Sequence, residues 1–193
     1  MRYPQVPSTL SCQLISRIIR YKKDIITKAT NTGKLPIHIF LKNYDGRSSN
    51  ANRMLVFDCL VKHFPESISL STRDGDNMLH LMSNNSYDYS MVQYVSKQYP
   101  GLLIQENHFG CIPIHLCLLR LDYFDNEYAY CNIVKVMCKA NSDICKLPYS
   151  YNEQALDFYK VFNGYLALHF FVYYIVNEDF VVLNDIRIWY QIF

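Results

Sequence analysis

The sequence predicts an all-α solenoid of about four stacked helix–turn–helix units with a capping first helix. Three six-residue segments align without gaps, each opening with glycine and ending with histidine: Gly33–His38, Gly75–His80 and Gly110–His115. A fourth segment, Asn152–Asp157, keeps the aliphatic residue of the pattern. The four segments begin 42, 35 and 42 residues apart, and recurrence at such intervals is typical of repeat architectures.

A helix is predicted before each segment, because four upstream columns are apolar in every unit. These columns lie 19, 18, 15 and 7 residues before the opening residue. The first three follow the i, i+1, i+4 spacing of one helix face, so each helix is expected to bury one stripe. The columns contain Leu14, Val56, Met91 and Ile133; Ile15, Phe57, Val92 and Val134; Ile18, Leu60, Val95 and Met137; and Ile26, Ile68, Leu103 and Cys145.

Prolines and glycines mark where the helices of each unit begin and end. Pro65 and Pro100 follow the upstream helix and are predicted to end it, since proline cannot continue a helix. The opening glycine supplies a tight turn that requires a permissive backbone. Pro36 and Pro113, three residues later, suit the first turn of the next helix because proline has no N–H to satisfy there.

These signals predict one repeat domain over residues 1–193. The domain begins with a lone helical segment at 9–32, in which the helix itself is expected near Thr9–Tyr21. The units that follow are predicted at 33–74, 75–109, 110–151 and 152–193, and the last of them is degenerate.

A second register fits the carboxy-terminal end, because Gly164–His169 matches the pattern as well as Asn152–Asp157 does. Only twelve residues separate the two, so both cannot open full units. We prefer the first register, since it repeats the 42-residue interval and keeps all four apolar columns. It makes Leu166–Val176 the second helix of the last unit and 177–193 a final cap.

The segments Pro36-Ile37-His38 and Pro113-Ile114-His115 resemble the ankyrin repeat, whose pattern is Gly-x-Thr-Pro-Leu-His followed by a second helix. The resemblance covers residues 14–160. The family threonine and alanine are replaced here, which predicts divergent repeats; the replacements are Leu35, Asn77, Ile112 and Gln154, and Phe40, Met82, Cys117 and Tyr159. The resemblance implies that the rings of His38, His80 and His115 each bond the backbone of the neighbouring turn.

The resemblance also implies a function, which is non-catalytic binding to another protein. It places the turn tips on the partner-facing surface, and these tips are Asn31, Thr32, Arg73, Asp74, His108 and Phe109. An insertion at 121–130 offers an alternative surface, because it contains aromatic residues of the kind that dominate binding hot spots: Tyr123, Phe124, Tyr128 and Tyr130. We therefore expect an interaction module or adaptor that works inside the cell.

Composition excludes several other classes of function. The 19 Lys and Arg against 17 Asp and Glu give a charge of +2, too small to collect nucleic acid by its field. The densest basic group is expected to be the solvated face of the first helix, and it contains Arg17, Arg20, Lys22, Lys23 and Lys28. The seven cysteines form no CxxC pair and are expected to be reduced, which favours the cytoplasm, with the nucleus as the alternative. Charged residues interrupt the first 23 residues, so an export signal is not expected.

Two side-chain groups have residue types that carry chemistry. Cys111, His115 and Cys117, with His108 upstream, suit zinc, but their spacing fits no tetrahedral pattern and we expect them to pack in the core. Cys59 and His63 lie one helical turn apart, without a glycine-rich oxyanion loop or a third orienting group. No GxGxxG, Walker-type loop or HExxH occurs. We expect no catalytic residue, metal, cofactor or small-molecule substrate.

The longest uncharged run, Val161–Asn177, has 17 residues and is the basis of an alternative function. It falls short of the roughly 18–20 apolar residues that a membrane-spanning helix needs, and it contains Asn163, Gly164 and His169. The alternative is a membrane-attached ankyrin-like protein that uses 161–177 as an anchor. A membrane partner is not expected.

Overall fold

The computed structural model describes residues 8–42, 50–83, 89–118, 127–150, 163–167 and 169. Within these ranges every regular element is helical and no strand occurs, which confirms the all-α class. The α-helices are α1 Ser8–Tyr21, α2 Pro36–Lys42, α3 Asn50–His63, α4 Met78–Ser83, α5 Tyr89–Gln98, α6 Pro113–Leu118 and α7 Glu127–Ala140. Shorter 3₁₀ helices span Lys23–Ile26, Pro65–Ile68, Pro100–Ile104 and Ser142–Lys146.

Proline sets the start of two short helices. Helices α2 and α6 begin at Pro36 and Pro113, so each proline takes the first helical position, as predicted. Its ring fixes φ near the helical value, and its missing N–H would have had no partner inside the helix.

Proline also marks the end of two longer helices. Helix α3 ends at His63, and Phe64 then leaves the helical backbone at φ −146° before Pro65 opens a 3₁₀ helix. Helix α5 ends in the same way, with Tyr99 at φ −132° before Pro100. The predicted ends of both helices are confirmed, and the residue before each proline is the one that turns away, as the steric restriction by the proline ring requires.

The chain divides into two compact units, Met1–Arg73 and Asp74–Phe193. In the first unit α1 packs along α3, and α2 packs on α3 as well. The buried side chains come from these helices and from the segments between them: Ile19, Ile26, Leu35, Ile37, Leu41, Phe57, Leu60 and Ile68. Burial of these apolar surfaces stabilises the unit at about 25 cal/mol per Å² removed from water.

Two residues of the predicted buried stripe on the first helix lie at its surface. Leu14 is 46% exposed and Ile18 is 52% exposed, so the prediction of burial is wrong at these positions. The contacts of α1 within its unit are with α3 and with the 3₁₀ helix Lys23–Ile26. The face that carries Leu14 and Ile18 points away from them, and Ile19 turns inward instead.

In the second unit the short helices α4 and α6 lie side by side, and the longer helices α5 and α7 lie side by side. The predicted apolar columns are buried here, since Met91, Val92 and Val95 of α5 and Val134 and Met137 of α7 have no exposed surface. The stripe predicted from sequence is therefore confirmed on both long helices.

Several predicted segments lie outside the described residues. These are Asn152–Asp157, Tyr123, Phe124, and all of 161–177 except residues 163–167 and 169. Tyr128 and Tyr130 lie within α7, so the predicted insertion 121–130 overlaps the first turn of that helix. No helix in the described ranges is both long and apolar enough to cross a membrane.

Candidate functional site

Four turns share one backbone conformation. Gly33, Gly75, Gly110 and Gly164 have φ of 72°, 80°, 76° and 80°, which an L-residue adopts only at a cost. The permissive backbone predicted for the opening glycines is thus a positive φ at Gly33, Gly75 and Gly110. Two backbone hydrogen bonds close the third turn, with the Gly110 N–H donating to the Asn107 carbonyl at 3.0 Å and the Asn107 N–H donating to the Cys111 carbonyl at 2.9 Å. Thr30 closes the first turn with the same pair of bonds.

The fourth turn takes one of its residues from much earlier in the chain. The Gly164 N–H donates to the Tyr149 carbonyl at 2.8 Å, and the Tyr149 N–H donates to the Tyr165 carbonyl at 2.8 Å. Tyr149 thus occupies the place that Asn107 has in the third turn. Tyr149 lies three residues before position 152, whereas the glycine of its turn lies at 164.

This arrangement explains why two registers fit the carboxy-terminal sequence. The apolar columns before Tyr149 have the expected spacing when it is measured to position 152. The turn and the histidine have the expected spacing when it is measured from Gly164. Residues 151–162, which separate the two parts of this turn in sequence, lie outside the described residues. Gly164 and His169 carry the turn geometry among the described residues, whereas the 42-residue interval and the apolar columns favoured Asn152.

The repeated histidines bond backbone on both ring nitrogens. Nδ1 accepts from the N–H three residues earlier, at 3.3 Å for His38, 3.2 Å for His80 and 3.4 Å for His115. Nε2 therefore carries the proton and donates to a carbonyl of the next turn region. The acceptors are Leu70 at 3.1 Å, Cys111 at 2.8 Å and Leu147 at 3.1 Å. These bonds to the neighbouring turn agree with what the resemblance implied.

Burial lowers the pKa of two of these rings, His80 and His115. His38, His80 and His115 have no exposed surface. Desolvation lowers the pKa of His115 to about 4, although its bond to the Leu147 carbonyl acts in the opposite direction. Desolvation lowers the pKa of His80 as well. Both rings bind backbone atoms of their own chain, so they act as structural bonds between turns.

Three of the four turn glycines, Gly33, Gly75 and Gly110, lie against the tip of the following turn. In the first unit, a Cβ at Gly33 would lie 3.0 Å from the Cβ of Arg73. In the second unit, a Cβ at Gly75 would lie 2.8 Å from the backbone nitrogen of His108. A Cβ at Gly110 would overlap the Ser150 carbonyl. The absence of a side chain thus lets successive tips touch along the backbone.

A backbone hydrogen bond fixes one of these contacts. The His108 N–H donates to the Asp74 carbonyl at 2.9 Å, which joins two of the sequence-predicted tip residues within the second unit. The side chains of Asp74 and His108 are exposed, and Phe109 is half-buried. In the first unit Asn31, Thr32 and Arg73 are exposed tip residues.

Two buried asparagines support the tips and were missed by sequence reasoning. Asn107 Oδ1 accepts from the N–H groups of Phe109 and Cys111, each at 3.0 Å, and its Nδ2 donates to Asp76 at 2.8 Å. Asn77 stands where the ankyrin pattern has threonine, and its Oδ1 accepts from the His80 N–H at 3.1 Å. Position −3 from the glycine holds Thr30, Thr72 and Asn107, and these small polar residues are the signal that could have identified this support.

The two cysteine–histidine groups that the sequence singled out contain Cys111 with Cys117 and Cys59 with His63, and their side chains are placed as follows in the structure. Cys111 and Cys117 are fully buried, and burial raises the pKa of the Cys111 thiol to about 12. Cys59 Sγ lies 3.9 Å from His63 Nδ1, but that nitrogen donates to the Cys59 carbonyl at 2.8 Å and so cannot serve as a base. No cluster of three or more potential metal-binding side chains occurs in the described ranges.

The chain has no match among protein-family models, curated proteins or solved structures.

Proposed function

We propose that the chain is a non-catalytic, ankyrin-like interaction module that binds a partner protein through its turn tips. The observation that carries this proposal is the contact between Asp74 and His108, which holds two exposed tips at a fixed spacing by backbone alone. Their side chains take no part in that bond. They differ from tip to tip, whereas the glycine and histidine beneath them repeat.

A pre-organised surface of this kind favours recognition, because little conformational entropy is lost when a partner binds. Asp74 offers a carboxylate on one tip. Phe109 offers an aromatic ring at the equivalent position of the next tip, because each of the two residues directly precedes the glycine of its turn. Aromatic residues often carry a large share of interface energy. In the first unit Asn31, Thr32 and Arg73 offer hydrogen-bond donors and a positive charge.

Six of the seven cysteines are free thiols: Cys12, Cys59, Cys111, Cys117, Cys138 and Cys145. Free thiols suit a reducing compartment, so we place the module inside the cell, in the cytoplasm or the nucleus.

The experiment identifies the partner by affinity capture and mass spectrometry and then measures the affinity of the purified pair. We expect Asp74→Ala and Phe109→Ala each to weaken binding by about tenfold or more, the range of hot-spot residues. Arg73→Ala tests the tip of the first unit in the same way. Gln98→Ala is the matched control, because Gln98 is exposed at the end of α5 and away from the tips.

Thermal melts of every variant show whether the fold is retained, since Phe109 is half-buried. Tyr123→Ser and Phe124→Ser test the insertion at 121–130. These substitutions leave α7 intact, whereas a deletion through residue 129 would remove its first turn. Binding that survives the tip variants and is lost with Tyr123→Ser and Phe124→Ser would overturn the proposal.

A further inference from the structure

A groove runs between α5 and α7 in the second unit and encloses a cavity of about 540 Å³. Its lining repeats along both helices, with Gln93 and Lys97 one turn apart on α5 and Asn132, Lys135 and Lys139 on successive turns of α7. The volume falls within the range of ligand-binding clefts. The groove lies on the long helices and contains none of the tip residues.

The charged side chains among the described residues that line this groove are all lysines. They are Lys97, Lys135 and Lys139. Lys97 and Lys139 are exposed and Lys135 is half-buried. Three ammonium groups along a cleft attract an anionic ligand and raise its local concentration.

The groove also contains a buried hydroxyl without a partner. Ser96 has no exposed surface, and its Oγ has no hydrogen-bond partner among the described residues. A serine within a helix commonly bonds the carbonyl of the preceding turn, and a buried hydroxyl left unpaired costs about 1–3 kcal/mol. Ser96 lies in the wall of the same groove, but because it has no exposed surface its hydroxyl is covered by the side chains around it and does not reach the open part of the groove.

We infer that this groove binds an acidic peptide segment of a partner protein. The lysines supply charge complementarity, and the amides of Gln93 and Asn132 can pair with a peptide backbone. The site is separate from the turn tips, so it goes beyond the proposed function and does not depend on it.

The spacing of the lysines favours a peptide over a compact anion. Lys135 and Lys139 are four residues apart on α7, which is about 6 Å along the helix axis. In an extended peptide, side chains on the same face are about 6.6 Å apart. Carboxylates at alternate positions would therefore meet successive lysines, whereas a single phosphate would reach only one end of the groove.

The test uses the full chain and a fluorescein-labelled peptide of alternating glutamate and alanine, with fluorescence anisotropy as the measurement. The matched probe alternates glutamine and alanine and is expected to bind at least tenfold more weakly. The affinity for the glutamate peptide should fall as salt screens the lysines. Equal binding of the two peptides would overturn the inference.

Variants locate the site. Lys97→Glu and Lys139→Glu should each weaken binding by at least tenfold, whereas Lys62→Glu, an exposed lysine on α3 in the other unit, should leave it unchanged.

Two further arms separate this site from other sources of binding. Asp74→Ala, a tip variant, should bind the glutamate peptide as the wild type does. Inorganic phosphate at millimolar concentration should displace the peptide only weakly. Full displacement by phosphate, or unchanged peptide binding by Lys97→Glu and Lys139→Glu, would replace the peptide groove with a small-anion site or with none.

Discussion

Gly110 lies so close to Ser150 that a Cβ at position 110 would be 2.6 Å from the Ser150 carbonyl carbon and would overlap its oxygen. The Ser150 N–H also approaches the Gly110 carbonyl, at 3.4 Å. The two residues belong to consecutive turns. Glycine is therefore required at position 110 for two separable reasons, which are its positive φ and the close approach of the next tip.

Three glycine-to-alanine substitutions separate these reasons. Gly110→Ala introduces both the strain of a positive φ and the clash with Ser150. It should lower the free energy of unfolding by clearly more than the roughly 1–2 kcal/mol expected from left-handed strain alone. Gly164→Ala suffers only the strain, because no described atom lies within 4 Å of the place that a Cβ would take there. Gly101 has neither constraint, so Gly101→Ala should be neutral or stabilising by up to about 1 kcal/mol. Denaturant melts rank the three, and equal losses for Gly110→Ala and Gly164→Ala would show that the contact with Ser150 is unimportant.

Replacement of the repeated histidine by alanine should lower the free energy of unfolding more at the buried His115 than at the exposed His169. His115→Ala leaves the Leu147 carbonyl and the Ile112 N–H without their ring partner in a buried site, and should cost about 1–3 kcal/mol. His169 makes the same Nδ1 bond, from Leu166 at 3.0 Å, but its side chain is exposed and water can replace it. Denaturant melts of the two variants give the comparison. A loss at His169 equal to that at His115 would contradict the argument from burial.

The free energy of unfolding should decrease as the pH is lowered, over a pH range set by the buried histidines His80 and His115. The pKa of His115 is about 4 in the folded chain and near 6.5 when unfolded, so the unfolded state takes up a proton first. The stabilisation is fully present above about pH 6.5 and is lost toward pH 4, by up to about 1.4 kcal/mol per pH unit. The lowered pKa of His80 acts in the same direction.

Urea melts between pH 7.5 and pH 4.5 measure this slope. His115→Gln removes one titrating group and should reduce the slope while it keeps an amide that can bond backbone. Asp24 and Asp143 have lowered pKa values because of their lysine partners, so they titrate below this window and do not contribute to it. An unchanged slope in His115→Gln would assign the pH dependence to other groups.

Cys145 should be alkylated at lower pH than Cys12. Cys138 and Cys145 have sulfurs 3.1 Å apart, and the Cys138 thiol donates to Cys145, which lowers the pKa of Cys145. Burial raises the pKa of Cys12. Both side chains are half-buried, so the difference in reactivity reports thiolate content. Peptide mass spectrometry after timed iodoacetamide treatment gives the order, and Cys138→Ala should slow the labelling of Cys145. Faster labelling of Cys12 would contradict the assignment.

Local features were predictable from sequence because their physics is local. Pro36 and Pro113 begin helices and Pro65 follows the end of one, since a proline ring restricts its own backbone and that of its neighbour. Gly110 has positive φ because the turn demands it. These residues act in the same way wherever they stand in the chain.

Features that depend on which elements meet were not predictable. Ile18 has the same apolar character as Val95, yet one is 52% exposed and the other is buried, because burial depends on the neighbouring helix and not on the residue. Lys97 and Lys139 are 42 residues apart in sequence, and only the packing of α5 against α7 makes them line one groove.

The bonds between Tyr149 and the residues at 164 and 165 have a consequence for how the length of this chain can change. They hold together two points that are fifteen residues apart in sequence. The entropy of closing a loop grows only with the logarithm of its length, at about 0.6 kcal/mol for each doubling. Added length between these two points would therefore raise the entropy cost of closing this turn only slightly, whereas an insertion at Gly75 or Gly110 would interrupt a turn that consecutive residues build.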